Sequence, residues 1–136
     1  MEITRRDALI AALLPLLKVS PVGAQAAQQP RPPVFQHDLP NLTMDDWQVT
    51  ASEITLAPGA VGTAHRHPGF VLVYVLEGDV VTKISDSAEA TYSPGQMFYE
   101  QPGAVHEVNR NASATKPARF LALIFAKKGL ALTTPV

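Results

Sequence analysis

From Asp46 onward the chain is written as short apolar runs separated by turn signals at roughly ten-residue intervals, and this rhythm restricts its fold more than any other feature. The runs cover residues 47–56, 61–67, 70–76, 80–84, 90–92, 97–100, 105–109 and 119–126. Between them stand Ala57-Pro58-Gly59, Pro68-Gly69, Glu77-Gly78-Asp79, Ser85-Asp86-Ser87, Ser93-Pro94-Gly95 and Pro102-Gly103, all turn-forming combinations. Segments this short, joined this tightly, predict an all-β domain of antiparallel strands, a sandwich or a barrel. The run Arg119-Phe120-Leu121-Ala122-Leu123-Ile124-Phe125-Ala126 is apolar on both alternating faces, so it belongs in the middle of a sheet. No amphipathic helix of useful length is written into the chain.

The N-terminal part follows a different pattern. Arg5 and Arg6 precede a short apolar stretch over residues 8–17, and Ala24-Gln25-Ala26 offers a small-x-small cleavage signal. The apolar stretch is too short to span a bilayer and is interrupted by Pro15, so residues 1–26 read as a cleavable export signal and not as a stable membrane anchor. Export by either the general or the twin-arginine route delivers the protein to the periplasm or the medium. Residues 27–42 are rich in proline and polar groups and read as an extended arm, in which His37 is a solvated linker histidine. The barrel or sandwich is expected over residues 43–128, with a C-terminal tail over 129–136.

Composition removes several classes of function. A formal net charge of −1, with no basic cluster larger than Lys127-Lys128, provides no footprint for nucleic acid. The absence of cysteine excludes disulfides, thiolate metal sites and cysteine nucleophiles. Neither a Gly-x-Ser-x-Gly elbow nor a phosphate-cradling or dinucleotide-binding glycine loop occurs. Any chemistry must come from another constellation.

The histidines supply one. His65 and His67 alternate along a strand-like run, so both imidazoles project from one face. His106 arrives from a later run and completes a candidate facial set of three nitrogens. Arg66, between the first two, points the other way, toward solvent.

The spacing around these histidines resembles that of the cupin superfamily, small jelly-roll β-barrels carrying a metal in the mouth. Gly59, His65, His67 and Gly78 fall at the positions of the first family motif, and Gly95, Gly103 and His106 at those of the second. Pro102 stands one place from the expected proline, and Arg110, flanked by Asn109 and Asn111, holds the asparagine position. The resemblance covers residues 57–126 and implies a single cupin jelly-roll barrel binding a divalent transition metal (Fe, Mn, Ni, Cu or Zn) through His65, His67 and His106. One position departs from the pattern: where the family places a metal-binding glutamate, this chain has Val71.

Glu100 is the candidate to replace that carboxylate, as ligand, as support for a ligand histidine, or as catalytic base. It shares a strand face with Phe98, while Met97 and Tyr99 share the other; the sequence leaves open which face looks inward. Tyr74 and Tyr99 are lesser candidates for hydrogen-bonding groups in a pocket.

Similarity to the quercetin dioxygenase-like branch of single-domain cupins implies an oxygen-dependent dioxygenase acting on an enolic or phenolic small molecule. The same fold equally accommodates a cupin isomerase or lyase, or a non-catalytic periplasmic protein that binds a metal or small ligand. The resemblance further implies a homodimer.

Overall fold

The computed structural model describes residues 31–136, so the export signal expected over 1–26 and the start of the arm lie outside the described residues. Nine strands and no helix occur among the described residues. They are β1 (Trp47–Leu56), β2 (His65–Arg66), β3 (Phe70–Glu77), β4 (Val80–Ile84), β5 (Ala90–Tyr92), β6 (Met97–Glu100), β7 (Val105–Asn111), β8 (Ala118–Lys127) and β9 (Thr134–Pro135). All pairings are antiparallel. One sheet has the order β1-β8-β3-β6 and the other β5-β4-β7-β2-β9. The two sheets share one core in a jelly-roll sandwich, without a hydrogen-bonded ladder that closes them into a continuous barrel.

β8 lies between β1 and β3, as its uniformly apolar sequence requires. Its inner face (Ala118, Phe120, Ala122, Ile124) packs with Val71, Val73 and Val75 of β3, Phe98 of β6 and Val80 of β4. Each of these larger side chains contributes about 1.5–3 kcal/mol by leaving water, so the wall behind the histidines is the hydrophobic core of the fold. The outer face is less buried. There Trp47, Phe70, Phe125 and Tyr99 form an aromatic row, and His37 of the arm stacks on Tyr99 with ring centres 4.1 Å apart.

Where residues 61–67 read as one strand, only His65–Arg66 pairs as a strand. Val61 makes a single bridge to Arg110, and Gly62 N–H donates to the Asn109 carbonyl, so the chain approaches the sheet edge irregularly before it joins. Gly69 permits the next step, the turn into β3. A Cβ on it would fall 1.7 Å from the Phe125 carbonyl oxygen, a place no other residue can occupy without moving β8.

The last residues are integrated into the fold. β9 pairs with β2, His65 opposite Pro135 and Arg66 opposite Thr134, and extends the second sheet by one strand. The buried Asn111 secures the other end of β7: its amide Nδ2 donates to the carbonyls of Leu56, Ala57 and Lys116, and its Oδ1 accepts from Ser113 N–H.

Candidate metal centre

Three elements carry the site. β2 and the residues after it present His65 and His67, the last residue of β6 is Glu100, and β7 presents His106. Burial along β6 alternates so that Phe98 and Glu100 face inward while Met97 and Tyr99 face out. Glu100 is 4% exposed and His106 3% exposed, far below what unpartnered polar side chains tolerate. Tyr74 lies on the outer face with Leu72, and neither it nor Tyr99 lines the cavity. The expectation of two pocket tyrosines is therefore corrected: strand alternation puts both on the wrong side of the sheet. Burial raises the Tyr99 phenol above its ordinary pKa.

Hydrogen bonds fix how the first two imidazoles point. His65 Nδ1 lies 2.8 Å from the Thr63 carbonyl and His67 Nδ1 2.6 Å from the Leu132 carbonyl. A carbonyl only accepts, so each Nδ1 is the donor in its bond, and each Nε2 is the ring atom turned toward the interior of the site. The two Nε2 atoms converge to 3.2 Å. A Glu100 carboxylate oxygen lies 3.8 Å from His67 Nε2. Donor atoms of His65, His67 and Glu100 all lie within 4.8 Å of one another.

What belongs among them is a cation. A proton shared between the two Nε2 atoms would serve only that pair and leave Glu100 to His106 Nδ1, 3.3 Å away. A divalent ion satisfies all three. With metal–nitrogen distances of about 2.0–2.2 Å, two neighbouring ligands stand roughly 3 Å apart, close to the observed spacing. Imidazole and carboxylate donors together suit first-row transition metals. His65, His67 and Glu100 thus form a centre able to hold a divalent transition-metal ion.

His106 stands beside this trio. Its ring centre is 5.0 Å from that of His65, its Nδ1 is 3.3 Å from Glu100 Oε2, and its Nε2 is 2.6 Å from the Thr82 hydroxyl. A bulge brings it there. The β4–β7 register shifts between Lys83 and Ile84, so that Ile84 faces His106 and Glu107 is skipped. Such an irregularity turns a strand and re-aims a side chain, here into the interior. The hydroxyl of Thr82 can donate or accept, so it supports His106 whether or not Nδ1 carries a proton.

Two ties hold the rim. Gly103 N–H donates to the His67 carbonyl, and Arg66 Nη1 donates to the Gly103 carbonyl, so the solvent-facing arginine fastens β2 to the turn before β7. The C-terminal strap supplies the other: Leu132 holds His67, Leu132 and Thr133 line the cavity, and β9 holds β2. Removing residues 130–136 is expected to weaken metal binding by about 10- to 100-fold, the usual cost of losing groups that orient a ligand, while the β1-β8-β3-β6 sheet survives. Chelator competition on the shortened chain measures it, and unchanged affinity would show that the strap is idle.

The cavity above the site has a volume of about 350 Å3. Beyond the four site residues, Ile54, Val71, Val73, Phe120, Ala122 and Ile124 supply most of its wall. Among the residues that the sequence did not single out, Thr82 left a trace, as the one hydroxyl on the inward face of Val-Val-Thr-Lys-Ile. Leu132 left none, because it acts through a backbone carbonyl that every residue has.

A family model described as a cupin domain matches residues 52–124, more than half of the chain. No curated protein matches it in sequence. Among solved structures, the DMSP lyase DddQ from Ruegeria pomeroyi DSS-3 is 17% identical with a TM-score of 0.57, covering 65% of this chain and 43% of that one. An oxalate oxidase is 21% identical with a TM-score of 0.56, covering 65% and 46%. The oxalate decarboxylase of Bacillus subtilis, a protein with Mn(II) centres, is 20% identical with a TM-score of 0.55, covering 65% and 24%. The chain spans less than half the length of each of these proteins, and the likeness at such identities is one of fold.

Proposed function

This chain belongs to the cupin family, and we propose that it is an exported metalloenzyme that uses dioxygen to cleave a small enolic or phenolic substrate. The convergence of two imidazole Nε2 atoms and a buried carboxylate at the mouth of an apolar cavity carries the proposal. His65, His67 and Glu100 hold the ion, and His106, outside that trio, adds a fourth donor through Nδ1, 3.3 Å from Glu100 Oε2. When bound, the ion supplies Lewis acidity and, if redox-active, electron transfer to oxygen.

The remaining work falls to the protein. Inward-facing Val71, Val73 and Phe120 exclude water from one side of the cavity and leave a low-dielectric wall against the reacting atoms. Among the described residues Glu100 is the only carboxylate lining it, so a proton leaving an enol or phenol hydroxyl passes to a Glu100 oxygen and on to solvent, which restores the carboxylate. Both atoms of dioxygen end in the cleaved products, and no other oxidant is needed.

Elemental analysis of protein purified from its native compartment, followed by oxygen-uptake assays with phenols and β-dicarbonyls, tests this reading. A bound transition metal near one equivalent with substrate-dependent oxygen consumption is expected. Tight metal without oxygen consumption across those substrates would leave a metal-binding protein and remove the oxygenase.

A further inference from the structure

We infer that the cavity is built for a ligand with one negative charge, an oxygen head carried on a compact apolar body about the size of a single ring, and that it discriminates against dicarboxylates. This rests on the metal reading above, because the ion anchors the anionic head.

The charges lining the cavity decide the first half. A divalent ion beside the Glu100 carboxylate leaves a single positive charge, which one anionic head neutralises. Among the described residues neither lysine nor arginine lines the cavity, so the chain described offers no second cation for a second carboxylate. A dianion would have to set its remaining charge against neutral side chains, most of them apolar (Ile54, Phe120, Ala122, Ile124) and only Ser52, Asn109 and Thr133 polar, and an unpaired charge on such a wall is costly.

Volume decides the second half. At roughly 30 Å3 per water the space corresponds to about a dozen waters, which a head group and one ring displace. It stands near the lower end of small-molecule sites, about 300–1,000 Å3. Ala122 sits where this limit can be tested: it faces inward from the central strand β8, opposite Ser52 on one side and Val73 on the other, and all three line the cavity.

The probes are benzoylacetone, as its enolate, and oxalate, titrated into protein loaded with zinc, which does not turn over with oxygen. Each affinity is divided by that of the same compound for free zinc, so that intrinsic chelation cancels. Benzoylacetone is expected to gain at least about tenfold over oxalate on this ratio. Ala122→Phe is expected to remove that gain while bound zinc stays at the wild-type level. An oxalate ratio equal to or above that of benzoylacetone overturns the inference and leaves the metal centre standing. So does a folded Ala122→Phe protein that binds benzoylacetone undiminished. Ile54→Phe, on the edge strand β1, serves as the filling variant should Ala122→Phe not fold. Zinc that fails to bind at all overturns the metal reading and the anionic head with it.

Discussion

Alanine in place of His65 or His67 is expected to lower metal affinity by about a hundredfold or more while the sandwich stays assembled. Each imidazole is one of the three donors that converge, and losing a ligand costs more than the 10- to 100-fold typical of its supporting partners. The fold is insulated from both changes. His65 belongs to a two-residue strand at the rim, and neither residue is a member of the hydrophobic core cluster, which the inner faces of β3 and β8 dominate. His106→Ala is expected to lower metal content too, as a fourth donor would. Metal retained after dialysis against a chelator, with strand content followed by circular dichroism, reads both consequences. Unchanged stoichiometry in the His65 and His67 variants would mean that the ring nitrogens meet for another reason.

Much of this arrangement is legible in the residues themselves. Alternating apolar runs and turn dipeptides define β1, β4, β5 and β6 at the boundaries the structure shows, because period-two burial and Pro or Gly punctuation are local properties. The even apolarity of β8 likewise marks a central strand. What the residues leave unread depends on partners far away in the chain. The sequence of β6 is compatible with either face inward; only pairing with β3, Val71 opposite Glu100 and Val73 opposite Phe98, turns Glu100 toward the cavity. β9 is two residues of ordinary composition whose strand character exists only beside β2. The bulge that aims His106 is a register shift between two strands, and neither strand alone encodes it visibly.

Moving the carboxylate from one strand to its neighbour should preserve the metal centre. Val71 occupies the place where the cupin pattern has a metal-binding glutamate, and in this fold it lies directly across the β3–β6 ladder from Glu100. Side chains directly opposite on one face of an antiparallel pair have Cβ atoms about 4.5–5.5 Å apart. A glutamate at either position can therefore reach the same ion, and Val71, 1% exposed and lining the cavity, already faces it. Glu100→Val alone is expected to cost about a hundredfold in metal affinity, since it removes the only anionic donor and leaves the ion's charge against an apolar wall. Combining it with Val71→Glu is expected to recover affinity to within about tenfold of the wild type, with similar total volume in the core. Chelator competition on the two variants decides the matter. If the paired variant binds metal no better than Glu100→Val, the cation does not sit between β3 and β6, and the carboxylate at Glu100 serves the histidines in some other way.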